Sequence, residues 1–331
     1  MKKTGNQYSN ITLNGIIYQL LHHDNFLLFL HENPDADTIG SNLALANTLK
    51  LMGKNAYIVS TDYIPQTLLF LTEKEKDFTI ERVPADYKPD YLISCDVASA
   101  SQLGKYKDFD GKIDLAIDHH QIHDIFTKYR YIDPLSSAAA EIVYKIVTRI
   151  TPHIPLDRRN ACLLYAALAA DTGGFRYSNT TPYTHKVAAK LIECGADHTE
   201  ICRNLFEMKT LSAVKAETFA QSHASFYKDG KISYVKITEK DRLENGFSAG
   251  DEYDVINVIR RIDGVKISIF AREREDGLYK ISTRSACNIN VADLCAKFGG
   301  GGHFAAAGCS VQADEVDNAV RTMMEECRFD D

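Results

Sequence analysis

The stretch Phe26-Leu27-Leu28-Phe29-Leu30-His31-Glu32-Asn33-Pro34-Asp35-Ala36-Asp37 holds the pattern on which the fold turns. An unbroken apolar run from Phe26 to Leu30 suits a short strand buried on both faces. It ends in a His and two carboxylates instead of ordinary turn residues. From Ser41 to Met52 apolar residues recur at helical spacing, and Gly53 stops the run. A buried strand, an acidic turn and a helix make the first unit of a parallel α/β sheet.

The same alternation extends outward. Asn55 to Ser60 reads as a second strand. Tyr91 to Val97 and Leu115 to Ile117 are further apolar runs, each ending in charged residues. Ser136 and Ser137 can cap a helix over Ala138 to Ile150, and Asp157 can cap one through Ala161 to Ala170. We expect an α/β domain with a mostly parallel sheet and helices on both faces. From about Lys231 the texture changes. Ile232 to Ile237, Val265 to Ala271 and Tyr279 to Ser282 look like strands, separated by turn signals at Lys228-Asp229-Gly230 and Glu275-Asp276-Gly277. The 331 residues fit two domains. The expected division is a first domain over 1–205, a linker over 206–230 and a smaller α+β domain over 231–331.

Composition narrows the class. Hydrophobic residues are 45% and charged residues 25%, an ordinary globular balance. The net charge of −7 and pI of about 5.9 argue against coating long nucleic acid by bulk charge, while leaving room for a local basic pocket. No apolar run approaches the ~18 residues of a membrane span. Lys2 and Lys3 are followed by polar residues, unlike a signal peptide, so a cytoplasmic protein is expected. Eight Cys form no CxxC pair, which removes zinc knuckles and thioredoxin-type motifs. They read as small buried hydrophobes in a reducing compartment.

The chemistry collects at the ends of the strand-like runs. Phe26 to Leu30 leads into His31, Asp35 and Asp37. Tyr91 to Cys95 leads into Asp96, Leu115 to Ile117 into Asp118-His119-His120, and the helix through Leu168 into Asp171. Open α/β sheets bind ligands outside the carboxyl ends of their strands, so these groups can converge on one crevice. Taken singly, Asp35 or Asp37 is an ordinary cap or turn residue. Together, four buried carboxylates repel one another unless cations sit among them. Two divalent ions carry the charge that balances Asp35, Asp37, Asp96 and Asp171. That matches a two-metal hydrolase, with ions ~3.5–4 Å apart and a bridging water held as hydroxide. Oxygen-rich donors with some imidazole favour Mn²⁺, followed by Mg²⁺ or Fe²⁺.

The set His31-x-x-x-Asp35-x-Asp37, Asp96, Asp118-His119-His120 and Asp171 resembles, in order, the four motifs of the DHH phosphoesterase superfamily. Gly299-Gly300-Gly301-Gly302-His303-Phe304-Ala305-Ala306-Ala307-Gly308 resembles the GGGH-x-x-A-A-G signature of its DHHA1 substrate-binding domain. The resemblance implies that His31, Asp35 and Asp96 bind one metal, and that Asp37, Asp96, His119 and Asp171 bind the other, with Asp96 bridging. It implies that His120 faces the substrate phosphate and that Asp118 orients a neighbouring His. Asp96, Asp118 and His120 are thus the expected catalytic group.

For substrate binding the expected residues are His120, Arg284, Gly300, Gly301, Gly302 and His303. The glycines permit positive φ and close backbone approach, and their N–H groups can form a phosphate nest. Arg284 resembles the family's substrate-binding Arg, and its guanidinium suits a phosphate. Arg272 and Arg274 alternate with Glu273 and Glu275 and read as a solvated strand face. Arg176, in Asp171 to Tyr177, can touch either phosphate or a neighbouring acid. From 231 to 331 there are 14 Lys+Arg against 18 Asp+Glu, so a small pocket fits better than a broad nucleic-acid surface. Tyr253, Phe270, Tyr279 and Phe304 are stacking candidates, each equally suited to a core.

Within the superfamily, a standalone pair of these domains resembles the bifunctional oligoribonuclease and pAp phosphatase group. The expected activity is metal-dependent hydrolysis of short oligoribonucleotides (nanoRNA) to mononucleotides, and of 3′-phosphoadenosine 5′-phosphate (pAp) to AMP. The alternative is a soluble phosphodiesterase for cyclic dinucleotides or linear pApA. A sensor without catalysis would be expected to have lost a motif aspartate, and none is lost. Short RNA or small phosphorylated nucleotides are the expected partners, with no membrane and no long nucleic acid; a homodimer is plausible for such a family.

Overall fold

The computed structural model describes residues 8–72, 78, 80–121, 123–150, 156–274 and 276–329. Lys2, Lys3 and Glu275 lie outside the described residues. The chain divides into two compact units, Met1–Met208 and Lys209–Asp331.

The first unit is built on six parallel strands: β1 (Ser9–Asn10), β2 (Asn25–Phe29), β3 (Asn55–Val59), β4 (Tyr91–Cys95), β5 (Ile113–Asp118) and β6 (Thr127–Ile132). Their order across the sheet is β1-β6-β5-β4-β2-β3, and every pairing is parallel. The chain leaves β2 for β3 on one side, then crosses back to β4 on the other. A crevice opens at the carboxyl ends of strands where the winding reverses in this way. The apolar run reads correctly as a strand buried twice over. Phe26, Leu28 and Leu30 pack with the helices on one face, whereas Leu27 and Phe29 pack with Val97, Leu103, Ile113 and Phe126 on the other.

The first face carries α1 (Leu13–His22), α2 (Ala36–Leu51), a short α3 (Leu69–Thr72), α4 (Ala139–Ile150), α5 (Arg158–Asp171), α6 (Pro182–Glu193) and α7 (His198–Cys202). The second face is covered differently. Its core includes Leu103 and Tyr106, from a 3₁₀ segment over Ala100–Phe109 kinked at Gly104. Asp157 caps α5 as expected, accepting from the Asn160 N–H. The Ser136–Ser137 cap for α4 is not made. The Ser137 hydroxyl instead donates to Glu141 at 2.7 Å, and another side chain takes the helix N–H groups, as described below.

Residues 206–230, which from Lys209 onward belong to the second unit, carry more structure than a connection. They include α8 (Leu211–His223) and β7 (Ser225–Tyr227). Ala216, Phe219 and Ala220 of α8 pack with Val235, Ile237, Val255 and Phe270. The apolar stripe of α8 is mostly alanine, which is why its burial is faint in the sequence. The remaining elements are β8 (Ile232–Ile237), α9 (Glu239–Asn245), α10 (Val255–Arg260), β9 (Ile267–Glu273), β10 (Leu278–Ser285), α11 (Val291–Ala296), β11 (Gly301–His303), β12 (Ala306–Gln312) and α12 (Val316–Glu326). The sheet order is β11-β12-β10-β9-β8-β7. The β8–β9 pair is parallel and the others antiparallel. Among the described residues no helix is long and apolar enough to cross a membrane. All eight cysteines are free thiols, and four of them are buried.

Candidate active site

Every candidate metal ligand sits at the carboxyl end of the parallel sheet or on a helix beside it. Asp35 is the N-cap of α2, its Oδ1 accepting from the N–H groups of Asp37 at 2.9 Å and Thr38 at 3.1 Å. The ordinary reading of Asp35 as a cap therefore holds, and its second oxygen stays available. The Nδ1 of His31 lies 2.8 Å from the Glu32 carbonyl. A donor proton on that nitrogen makes Nε2 the atom that can ligate, once it sheds its own proton. Nε2 is 3.7 Å from both Asp35 Oδ1 and Asp96 Oδ2.

Asp37 is fully buried in the first turn of α2. Its Oδ2 accepts from the Ala139 N–H at 2.6 Å, and its Oδ1 accepts from the Ala140 N–H at 3.0 Å and the Ser41 hydroxyl at 2.9 Å. This carboxylate is the cap that α4 lacks from its own serines. Sequence reasoning did not reach this link, because the partners are about a hundred residues apart and backbone N–H groups leave no trace in residue type.

Asp96 follows β4 with φ at +64°, a left-handed backbone uncommon outside glycine. That turn sets its carboxylate among three imidazoles. Oδ1 is 3.5 Å from His119 Nε2 and 3.7 Å from His120 Nδ1, while Oδ2 faces His31. His119 Nε2 also lies 3.2 Å from Asp171 Oδ2 and 3.8 Å from Asp37 Oδ2. Asp171 is the last residue of α5. Asp118 ends β5 fully buried, and its Oδ1 accepts from the His119 N–H at 2.7 Å, the His120 N–H at 3.2 Å and His120 Nδ1 at 2.7 Å.

These groups can hold metal. His31, Asp35 and Asp96 bring donor atoms within 4.8 Å of one another, as do Asp37, His119 and Asp171, and Asp96 also gathers with Asp118, His119 and His120. The electrostatics fit cations. Burial, and then the charge of Asp96, pushes Asp37 up to about 7. Burial and Asp37 push Asp171 well up. Burial opposes charge on His31 and His119, but Asp35 and Asp96 outweigh it at His31 and Asp96 chiefly at His119, raising each to about 11. Burial opposes charge on Asp96 as well, yet His119 and His31 hold it well below the carboxylate range. Protons on the imidazoles supply positive charge to a group of acids that is too dense to ionise alone.

In the second unit, Arg284 lies on β10 opposite Ala306 of β12, and its guanidinium donates to the Thr283 carbonyl at 3.0 Å. His303 pairs across the strands with Ala306 as well; its side chain lies outside the described part of the structure. The glycines form a strand edge rather than a free loop. Gly301 is opposite Gly308, and Gly302 has φ +143°. A Cβ at Gly300 would meet the Gly308 carbonyl oxygen and Cys309. Arg274 is solvated as expected and pairs with Asp276. Arg272 differs, being half-buried and opposite Lys280 of β10. Arg176 donates from Nε to the Gly173 carbonyl and lies over the Phe206 ring. Of the stacking candidates, Phe270 and Tyr279 are core, whereas Tyr253 and Phe304 are exposed.

The model of the DHH family, N-terminal domain, matches residues 25–168, and that of the DHHA1 domain matches residues 229–328. The chain belongs to the DHH family. Over 90% of its length it is 30% identical to a protein of Thermus thermophilus named bifunctional oligoribonuclease and PAP phosphatase NrnA, of which it covers 87%. A Bacillus subtilis protein of the same name is 28% identical over 92% of this chain and 96% of its own. The fold is that of an exopolyphosphatase-related protein from Bacteroides fragilis, with a TM-score of 0.87, 22% identity and 95% of each chain covered. In this DHH chain the first family match runs from β2 into α5 and takes in every candidate ligand but Asp171.

Proposed function

We propose that this chain hydrolyses short oligoribonucleotides to mononucleotides and converts pAp to AMP. Its class, phosphoester hydrolase, follows from membership of the DHH family. The finer reading rests on one observation. The donor groups His31-Asp35-Asp96 and Asp37-His119-Asp171 lie in a chain that matches two oligoribonuclease and PAP phosphatases over nine-tenths of its length.

In this reading His31, Asp35 and Asp96 hold one divalent ion, and Asp37, Asp96, His119 and Asp171 hold the second. The donor set of carboxylates with imidazole puts Mn²⁺ first, then Mg²⁺ or Fe²⁺. When bound, the ions supply Lewis acidity and lower the pKa of the attacking water. The protein does the rest. His120 is tied through Nδ1 to Asp118, and in this reading it is the imidazole that meets a phosphate oxygen. Burial opposes a charge on His120, but Asp118 and Asp96 outweigh it and raise its pKa, which favours donation to that oxygen. In the second unit, Arg284, His303 and the Gly300–Gly302 edge are the proposed phosphate-binding residues.

The test is a Mn²⁺-dependent turnover panel of pAp, linear pApA, a five-nucleotide RNA, cyclic di-AMP and pyrophosphate. Fast release from pAp and short RNA supports the proposal. Preference for cyclic di-AMP replaces it with the cyclic-dinucleotide alternative, and turnover of none of them removes this substrate class.

A further inference from the structure

Three residues beyond the Asp118-His119-His120 turn, His123 is buried with 3% of its side chain exposed. It ligates nothing in the reading above and was not singled out in the sequence. Neither ring nitrogen has a hydrogen-bond partner, and Asp118 Oδ2 has none either. These orphaned atoms face one another, with His123 Nε2 lying 3.5 Å from Asp118 Oδ2. The ring stacks on the buried Phe126, centroids 5.4 Å apart and planes 20° apart. Stacking limits the ring to small rotations, and a small one closes the gap.

The two oxygens of Asp118 are unequally served. Oδ1 takes three donors, two from backbone and one from His120 Nδ1. Oδ2 takes none, and His123 Nε2 lies 3.5 Å from it. A buried carboxylate oxygen left without a donor is costly, so a donor for Oδ2 fixes the side chain. His123 is suited to give one. Burial holds its pKa below the usual value, and Arg130 and His120 act in the same direction against the pull of Asp118 and the Asp124 backbone. The neutral ring carries a single N–H. Placing that proton on Nε2 avoids setting a lone pair against a carboxylate. On its other side, His123 forms one wall of a cavity of about 460 Å³ shared with Arg130, Gln121 and Asn10. Among the described residues no acid lines that cavity, so the Asp124 backbone is the other group that draws on the proton.

We propose that His123 is a positioning residue: it donates from Nε2 to Asp118 Oδ2 and thereby fixes the carboxylate that orients His120. Its kinetic arm rests on the hydrolytic reading above, and its spectroscopic arm does not. The variants are His123→Phe, which keeps the ring and its stacking without a donor, and His123→Gln, which restores an N–H. In the full chain, the His120 Nδ1 proton held by Asp118 gives a downfield ¹H resonance. In His123→Phe we expect it to shift or broaden, and in His123→Gln to return. With whichever substrate the wild type turns over, His123→Phe should lower kcat by about 10–100-fold with KM within twofold, and His123→Gln should recover most of it. An unmoved resonance with wild-type kcat in His123→Phe overturns the proposal. So does equal loss in both variants with a lowered Tm, since the ring then only packs. If the wild type hydrolyses no nucleotide, the functional reading fails, and the resonance alone decides the role of His123.

Discussion

The Oδ2 of Asp37 and the backbone N–H of Ala139 are 2.6 Å apart, so a candidate metal ligand on α2 is also the N-terminal cap of α4. Charge at a helix N-terminus is stabilised by unpaired N–H groups and the helix dipole. Asp37→Ala removes both roles. It should lower stability in chelator by about 1–2 kcal/mol and turnover by at least about 100-fold. Asp37→Asn keeps an acceptor for Ala140, so most of the stability should remain while activity still falls. Thermal melts beside turnover check this. Asp37→Ala melting with the wild type would refute the capping role.

The cluster makes stability depend on pH in a defined direction. Asp37 rises from its ordinary 3.8 to about 7, so its contribution is present at low pH and lost as pH climbs through 7. His31 and His119, each raised from 6.5 to about 11, contribute fully below 6.5 and lose that contribution as pH approaches 11. Asp96 moves the other way, but its depressed pKa leaves its contribution constant above neutral pH. In chelator, Tm should fall from pH 6 to pH 9. Ligands must shed protons to bind metal, so the Tm gain on adding Mn²⁺ should grow over the same range. A pH-independent Tm in chelator, with the same Mn²⁺ gain at both ends, would contradict this.

Asp96 combines a left-handed backbone, φ +64°, with the central carboxylate. Asn tolerates that conformation and Ala does not, at roughly 1–2 kcal/mol. Both Asp96→Asn and Asp96→Ala should abolish turnover. Only the alanine variant should lose stability in chelator by about that amount. Near-normal turnover of either would remove Asp96 from the centre of the site.

Two neighbouring glycines should behave differently. At Gly302 a Cβ would lie 2.5 Å from the Ala306 carbonyl oxygen and 2.6 Å from Ala307 Cα, at φ +143°. At Gly301 a Cβ meets nothing within 4 Å. Gly302→Ala should cost about 2 kcal/mol or more in unfolding measurements, and Gly301→Ala should be nearly neutral. Equal stability of the two would mean that β11 does not need its close approach to β12.

The parallel sheet was readable because β2, β4 and β5 are apolar runs that end in acids, and runs buried on both faces need no alternation to be recognised. β6 was not read. Its residues Thr127 to Ile132 are polar-flanked and, beyond the first, exposed or only half-buried, so neither a run nor a clean period of two is present. At the site, His31, Asp35, Asp37, Asp96, His119 and Asp171 could be named because side-chain type carries ligation chemistry. The Ala139 and Ala140 N–H groups on Asp37 could not, since any residue but proline supplies them. His123 was passed over for a related reason, because its importance comes from facing Asp118 and not from its own spacing.

The double tie of Asp37 also constrains how this chain can drift. Asp35 is 56% exposed, and its contacts to the Asp37 and Thr38 N–H groups are ones that Ser or Asn would make as well. A lineage released from catalysis can therefore exchange Asp35 with little harm to folding, whereas exchange of Asp37 unties one helix from another. Decay should follow an order, with the outer acid of the first motif vanishing before the inner one. A descendant that keeps Asp37 but has lost Asp35 would then be an inert cousin whose fold still selects the inner acid.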